Sequence, residues 1–324
     1  MKTKWWVLGS LLVSTSVAFA QPVPDDPPTE PVPEPAPPTP EPAPPPPPPP
    51  QQTMVAPPPM APVVAPAPAG PVVLPNMLST RPGATIDVEA DYIDLDGAED
   101  VYLFALRAHV QYLTPQGMGG YLILPGAAVN GDGVDGDTQL GNIEVGGLFA
   151  IQSSPTFEAL LRGGVSIDTQ GDPDGEGFDL FALNLLAHFL PHPTDAFTHG
   201  GLNTTWARAQ AQFVQTSNNN LRFGGMIGFD LPIAGDIEEA DNLDVLINGA
   251  LVAGYQDAKF GIAAGFTFIQ SVSEGDDDNI KSVQLMGNMA INPAMRAYLL
   301  IGLTMDGDEF LDGTAFGLGV RAAL

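Results

Sequence analysis

The feature that most constrains this chain is the alternation of apolar with polar or small residues, which is the dominant pattern from Thr85 onward. In residues 101–113, aromatic and aliphatic side chains occupy every second position, and Arg107, His109 and Gln111 lie between them. Successive side chains of a β-strand point to opposite faces, so each such segment forms a strand with one apolar face. The twelve segments with this pattern lie near 84–93, 101–113, 118–128, 141–152, 157–168, 179–190, 221–231, 243–255, 259–270, 282–291, 296–304 and 313–324.

The length of these segments distinguishes a membrane barrel from a soluble β protein. Strands of soluble domains usually have about 5–6 residues, whereas tilted transmembrane strands need about 9–11. A soluble sandwich or lipocalin-like barrel would also alternate, but its apolar face would point inward. It would not place Arg107, Arg162 and Arg222 on a face shared with small residues. The pattern therefore predicts an all-β fold, a closed antiparallel transmembrane β-barrel of about twelve strands over residues 83–324.

The polar face of the predicted strands carries many charges. A buried ion costs several kcal/mol unless it is paired, whereas a hydrated lumen tolerates charge, so we expect this face to line a water-filled lumen. The predicted lumen-lining residues are Asp87, Glu89, Asp91, Arg107, His109, Glu144, Glu158, Arg162, Asp179, Arg222, Asp230, Asp244, Arg296 and Arg321.

The final segment alternates up to the very last residue. Its apolar face consists of Phe316, Leu318, Val320, Ala322 and Leu324. This pattern resembles the C-terminal assembly signal of Gram-negative outer-membrane β-barrel proteins, including porins, although that signal prefers an aromatic last residue and Leu324 departs from it. The resemblance implies a location in the cell outer membrane, contact with its lipid, and recognition by the barrel-assembly machinery.

Two segments precede the predicted barrel. Residues 1–20 have a basic start, a short apolar stretch and the sequence Ala18-Phe19-Ala20, which together predict a cleaved secretory signal peptide. Residues 21–76 contain 26 of the 35 prolines of the chain, so we expect a disordered, extended linker. Such a linker reaches at most about 170 Å. It would serve either as a passive spacer or as an arm that contacts peptidoglycan.

The predicted connectors sort by charge. Six of them hold 24 of the 33 acidic residues after position 82 and a single basic residue, Lys281, while the turns between them are short and nearly uncharged. Outer-membrane barrels have short periplasmic turns and long external loops, so we expect the acidic connectors to face outward. They are residues 94–100, 130–138, 168–177, 230–242, 274–281 and 306–312.

Residues 191–220 interrupt this alternation of connectors. Counting strands places them on the periplasmic side, and Asn203–Thr216 reads as a short helix that is rich in Ala, Arg and Gln. The alternative is a strand, because Ala207, Ala209 and Ala211 also alternate with polar residues. A strand here would require another near residues 196–204, giving fourteen. We favour twelve strands with an excursion.

Composition excludes several classes of function. The chain has 38 acidic and 11 basic residues, so nucleic acid is not expected as a partner. It has no cysteine, which excludes disulfides, thiolate metal sites and a cysteine nucleophile. The acidic runs lack the EF-hand spacing, and the histidines show no paired spacing, with His109 and His188 on strands. We therefore expect no enzyme activity, no catalytic residues, no bound metal and no cofactor.

These features predict a passive outer-membrane channel for small hydrophilic solutes that prefers cations, because acidic side chains dominate both the rim and the lumen. The alternative is a closed barrel that anchors the envelope, with the proline-rich arm as its working part. A translocator of the autotransporter type is a third hypothesis, and the sequence offers it no helix before the first strand to fill the pore.

Overall fold

The computed structural model describes most of the predicted barrel and the residues immediately before it. The described residues are 72–95, 101–131, 134–154, 156–169, 185, 187–199, 204–235, 245–272, 279–304 and 313–324. The predicted signal peptide and residues 21–71 of the proline-rich segment lie outside them. No described helix is long and apolar enough to cross a bilayer.

The described residues form thirteen antiparallel strands in a single sheet. β1 pairs with β13 from Thr85↔Ala323 to Leu95↔Gly313, and this pairing closes the sheet into a barrel. The predicted closed, antiparallel all-β barrel is confirmed. The strands are β1 Gly83–Leu95, β2 Val101–Leu113, β3 Met118–Gly131, β4 Val134–Leu140, β5 Ile143–Ser154, β6 Phe157–Ile167, β7 Thr204–Thr216, β8 Leu221–Gly235, β9 Leu246–Gln256, β10 Phe260–Ser271, β11 Asn279–Asn292, β12 Met295–Thr304 and β13 Gly313–Ala323.

β4 and β5 together form one interrupted barrel strand. The second half of β3, from Gly126 to Gly131, pairs with β4, and its first half, from Met118 to Ile123, pairs with β5. The break falls at Gly141 and Asn142, opposite Pro125, which has no N–H for a continuous ladder. The Gly141 N–H donates to the Pro125 carbonyl at 2.9 Å, and the Asn142 N–H donates to the His199 carbonyl at 3.0 Å. The barrel therefore has twelve strands, which is the predicted number, and part of the predicted connector 130–138 belongs to the β3–β4 hairpin.

The two ends of the barrel differ in their connections. Five short turns, which join β2–β3, β5–β6, β7–β8, β9–β10 and β11–β12, lie at the same end as Gly83 and Ala323. We call this the short-turn end. The strand ends joined by the acidic connectors lie at the opposite, long-connector end. Asp230 is an exception among the acidic residues, because it lies within β8 and is buried.

The helix predicted for residues 203–216 was wrong for its described part, because Thr204–Thr216 forms β7. β7 pairs with β6 on one side and with β8 over its whole length on the other. Two hydrogen-bonded ladders outweigh helix propensities that differ by less than about 0.7 kcal/mol per residue. The predicted strand 179–190 was also wrong for its described part, since residues 187–189 are helical.

The count of strands stays at twelve because β7 replaces the predicted sixth strand. The fourteen-strand alternative was wrong as well, since residues 196–199 are helical. The segment between β6 and β7 follows the long-connector end of β6, so the prediction that residues 191–220 lie at the periplasmic end was wrong for this segment. The turn between β7 and β8, residues 217–220, does lie at the short-turn end.

The outer surface of the barrel is apolar. Many large apolar side chains on it are exposed, and Leu106 at 55%, Leu251 at 63% and Leu318 at 65% are more than half exposed. The predicted assembly face on β13 lies on this surface, with Phe316 and Val320 exposed beside Leu318. Contiguous apolar surface of this extent is unfavourable in water and fits the hydrocarbon of a bilayer.

The membrane orientation can be tested with introduced cysteines, since the chain has none of its own. Val272 is exposed beyond β10 at the long-connector end, and Gln116 is exposed in the β2–β3 turn at the short-turn end. We expect a membrane-impermeant maleimide to label Val272→Cys on intact cells and Gln116→Cys only after permeabilisation. Labelling of intact cells at position 116 alone would reverse the orientation.

Candidate functional site in the barrel interior

The predicted lumen-lining residues that the structure describes all point into the barrel. Asp179 and Asp244 lie outside the described residues; Glu158 is half-buried, and the others are buried. The interior around them is not open, because two segments of the chain occupy it. We call residues 72–82 the N-terminal plug and residues 187–199 the central plug.

The N-terminal plug fills the short-turn end and is held by side chains of the wall. The Val73 N–H donates to Gln256 Oε1 at 3.0 Å. Gln212 accepts from the Leu78 N–H at 3.0 Å and donates to the Leu78 carbonyl at 2.9 Å. Further wall donors reach its carbonyls, namely Gln111 Nε2 to Ser79 at 2.8 Å, Asn288 Nδ2 to Val73 at 3.4 Å, and Arg321 Nη1 to Val72 at 2.8 Å and to Met77 at 3.1 Å. Side chains of the wall therefore satisfy backbone groups that a strand would pair in a ladder.

The same plug makes a tight turn inside the barrel. The Met77 N–H donates to the Leu74 carbonyl at 3.2 Å, and Asn76 adopts a left-handed φ of 57° that asparagine tolerates. Leu74 and Met77 pack in an apolar cluster with wall residues Val214, Met226, Ala250, Val252 and Ala263. Residues 72–76 were placed in the disordered linker from their prolines, but their apolar side chains are part of the barrel interior.

The central plug lies nearer the long-connector end. Residues 187–189 are helical, Pro193–Asp195 forms a 3₁₀ turn, and Ala196–His199 forms the short helix α1. One side of the plug is apolar and packs against inward side chains of the wall. This cluster consists of Ala187, Phe189, Leu190 and Ala196 with Ile93, Leu103, Ala105, Val129, Ile269 and Ala315. The wall at this level is apolar, which the prediction of a charged lumen did not anticipate.

The other side of the central plug carries Asp195, which ion-pairs with three arginines of the wall. Arg107 Nη2 lies 2.8 Å from Asp195 Oδ2, Arg162 Nη1 lies 3.5 Å from Oδ1, and Arg208 Nη1 also contacts Oδ1. Burial alone would raise the pKa of the Asp195 carboxyl, but Arg208, Arg162 and Arg107 hold that pKa well below its usual range. The three arginines therefore favour the ionised form of Asp195 inside the barrel.

The network continues through Glu144 on β5. Its Oε1 lies 2.6 Å from Arg162 Nη2 and accepts from the Tyr121 hydroxyl at 2.5 Å. Its Oε2 lies 3.0 Å from His199 Nε2 in α1 and 3.4 Å from Arg208 Nη1. Glu144 thus joins β3, β6 and β7 to the central plug.

Among the described residues of the interior, Arg208 on β7 is the arginine that contacts most carboxylates. Its Nε and Nη2 bind Asp230 at 2.6 and 2.9 Å, and Nη2 also donates to the Thr194 carbonyl at 2.7 Å. With Asp195 and Glu144, it contacts three carboxylates. Sequence reasoning missed Arg208, because a helix was preferred for residues 203–216; the alternation over Ala207, Ala209 and Ala211 carried the signal that it points inward.

Gln284 on β11 contacts both plugs. Its Nε2 donates to the Pro191 carbonyl at 2.7 Å, and its Oε1 accepts from Asn76 Nδ2 at 2.6 Å. The side chain is fully buried. One amide of the wall therefore links the N-terminal plug to the central plug, and nothing in the local sequence distinguishes this glutamine from others on the polar face.

The histidines depart from their predicted surroundings. His109 points inward from β2 as expected, but His188 lies in the central plug and not on a strand. Burial and the neighbouring His199 and His192 lower the pKa of His188 well below its usual value, so His188 is neutral at physiological pH. His199 binds Glu144, and His192 lies 3.4 Å from Glu89, so both have acidic neighbours that their spacing did not suggest.

No protein-family model matches this chain, and no curated protein sequence matches it. Among solved structures it is similar to an outer membrane channel from Pseudomonas putida F1, with 12% sequence identity and a TM-score of 0.54 over 75% of this chain and 96% of that chain. It is also similar to the NanC porin, with 12% identity and a TM-score of 0.49 over 74% of this chain and 100% of that chain.

Similarity at this level is one of fold. The chain has the fold of outer-membrane β-barrel proteins, and its apolar outer surface fits the lipid of the cell outer membrane. The class of protein and the location predicted from the alternation and from the last strand are confirmed.

Proposed function

We propose that this protein is an outer-membrane channel for small hydrophilic solutes, and that the N-terminal and central plugs close it in the conformation described. The observation that carries the proposal is how the N-terminal plug is held. Its backbone is bound by Gln256, Gln212 and Gln111 instead of by a strand ladder. Water can replace such hydrogen bonds at a net cost of about 0.5–1.5 kcal/mol each, and the exposure of Leu74 and Met77 adds to that cost. Because the plug is not part of the sheet, its departure leaves the pairing of the barrel strands intact.

We further propose that the open channel prefers cations and that the preference arises at its rim. Among the described residues, the buried charges are balanced, with six carboxylates and six arginines. The acidic connectors retain 23 carboxylates against Lys281 when Asp230 is left out. Charge of one sign around an opening concentrates counterions, and it is screened beyond about 8 Å at physiological ionic strength.

Selectivity is measured in planar bilayers across a potassium chloride gradient, on the open events of the full chain and on the barrel that lacks residues 21–80. We expect a reversal potential of the cation-selective sign at low salt that falls towards zero in molar salt, because the rim charges are screened. Anion preference at low salt would contradict the assignment to the acidic rim. A preference that molar salt leaves unchanged would place the selective charges inside the lumen.

A second function is favoured by the filled interior. A barrel that never opens would act as an anchor for the envelope, and the proline-rich segment that precedes the N-terminal plug would then be its working arm. The plug lies at the short-turn end, which the proposed orientation makes periplasmic, on the side of the cell wall. An anchor would bind isolated peptidoglycan as the full chain, would lose that binding on deletion of residues 21–71, and would not conduct in either form.

A further inference from the structure

The buried carboxylates of the interior fall into two groups. Six are buried among the described residues. Four of them have an arginine within ion-pair distance, namely Asp87, Glu144, Asp195 and Asp230. The other two, Glu89 and Asp91 on β1, have no lysine or arginine at that distance in the part of the chain that the structure describes. Arg107 lies opposite Glu89 in the β1–β2 register, but its Nη2 binds Asp195.

Several oxygens of Glu89 and Asp91 also lack hydrogen bonds. Glu89 Oε2 accepts from the Tyr298 hydroxyl at 2.7 Å. Glu89 Oε1 and both Asp91 carboxylate oxygens have no hydrogen-bond partner among the described residues, although the two residues are only 4% and 2% exposed. Burial of a carboxylate is unfavourable unless a cation or donors compensate it. Two such carboxylates side by side therefore need a bound cation, a shared proton or a neighbouring imidazolium to compensate them.

The third group at this place comes from the central plug. His192 Nε2 lies 3.4 Å from Glu89 Oε2 and makes no hydrogen bond with the described residues. One ligand atom each from Glu89, Asp91 and His192 lies within 4.8 Å of the other two. We propose that these three side chains form a binding site for a divalent transition-metal cation. The site is independent of whether the barrel conducts.

The chemistry of the ligands selects the class of metal. Carboxylate oxygen and imidazole nitrogen together are ligands of Zn²⁺, at about 2.0–2.2 Å from the ion. An imidazole ligand disfavours Mg²⁺ and Ca²⁺, which prefer oxygen. Two carboxylates and one divalent cation are neutral together, and this removes the charge imbalance at this point of the interior.

A glycine in the barrel wall leaves room for the carboxylates of this cluster. Gly317 on β13 pairs with Asp91 in the β1–β13 register. A Cβ at this position would overlap Asp91 Oδ1 and would lie 2.7 Å from Glu89 Oε1. A side chain at position 317 would therefore displace the two carboxylates from their present positions.

The three proposed ligands come from two different parts of the barrel. Glu89 and Asp91 belong to the wall, whereas His192 belongs to the central plug. A shared cation would tie the plug to β1, so metal binding would stabilise the plugged conformation.

The test uses the full chain purified in detergent, stripped with EDTA and titrated with Zn²⁺ by calorimetry. The variants are Asp91→Asn and His192→Gln, and the control is Asp257→Asn, which removes one carboxylate from the exposed β9–β10 turn. We expect one tight Zn²⁺ site per chain in the wild type and in the control. Loss of even an outer partner weakens metal affinity by about 10–100-fold, so each ligand variant should bind more than about ten-fold more weakly.

Binding that is unchanged in both ligand variants would assign the metal to the acidic connectors and overturn the site. If a variant fails to form a heat-stable barrel, X-ray absorption at the zinc edge of the wild-type protein decides. One imidazole nitrogen with carboxylate oxygens around the ion supports the site. A shell of oxygen alone, or no zinc retained after dialysis, would overturn it and leave the two carboxylates with a shared proton or a neighbouring imidazolium.

Discussion

Deleting residues 21–80 should convert a closed barrel into a conducting one, whereas deleting residues 21–71 should leave it closed. The two deletions both remove the proline-rich segment and differ only in residues 72–80, which occupy the short-turn end of the interior. Without these residues, the wall side chains Gln111, Gln212 and Gln256 lose their backbone partners and face an aqueous space. The expected result in planar bilayers is sustained single-channel conductance for the longer deletion and at most rare open events for the shorter one.

The central plug sets how far this opening extends. Gln284 holds Pro191 of the central plug and Asn76 of the N-terminal plug together. We therefore expect Gln284→Ala to raise the frequency of open events in the full chain, while Gln215→Ala, at an exposed position on β7, has no effect. Heat-dependent gel mobility serves as the folding control for every variant.

The outcomes separate the two proposed functions. A deletion of residues 21–80 that folds but stays silent would contradict the channel and favour the anchor. Should that deletion fail to fold, a full chain with Ala at positions 111, 212 and 256 weakens the same plug without exposing the apolar side chains beneath it. Silence in that triple variant as well would count against opening at the short-turn end.

Most of the barrel follows from the sequence, because the period of two decides which side chains face lipid. It places Leu106 and Leu318 outside and Arg107 and Arg321 inside, as the structure has them. The pattern is ambiguous where one segment fits both the strand period of two residues and the helix period of about 3.6 residues. Residues 204–216 contain good helix formers and also alternate, and only the pairing with β6 and β8 decides for a strand.

The content of the interior was not predictable in the same way. The N-terminal plug follows a proline-rich stretch, whose average composition hides the few apolar residues that bury themselves, such as Leu74 and Met77. Sequence also places charges on the inner face without indicating their partners. Arg321 binds Asp87 from 234 positions away, and no local rule connects two such residues before the barrel is closed.

Replacing Arg208 with methionine should be among the most destabilising single substitutions in the barrel. Its guanidinium contacts Asp230, Asp195 and Glu144, and all three carboxylates are buried. Removing one partner of a buried ion pair costs about 3–5 kcal/mol, because it leaves charge uncompensated. We therefore expect Arg208→Met to lower the free energy of unfolding by about that amount, and to loosen the central plug.

Arg222→Met is the matched control. Arg222 is also a buried arginine that points inward from a strand, but the structure gives it no carboxylate within ion-pair distance among the described residues, and its Nη1 donates to Thr216 Oγ1 at 3.2 Å. Its loss should cost about 0.5–1.5 kcal/mol, the value of a single hydrogen bond. Arg208→Lys should fall between the two, because lysine keeps the charge but cannot bind Asp230 through two nitrogens.

The measurement is urea unfolding in lipid vesicles followed by tryptophan fluorescence. Of the three tryptophans, two lie in the predicted signal peptide, so Trp206 reports alone in the mature chain. Trp206 is fully buried and lies two residues from Arg208 on the same face of β7. Equal losses for Arg208→Met and Arg222→Met would mean that the carboxylates at the centre are compensated without Arg208. If Arg208→Met keeps the wild-type fluorescence of Trp206 and the wild-type free energy of unfolding, the ion-pair network is not what holds the central plug in place.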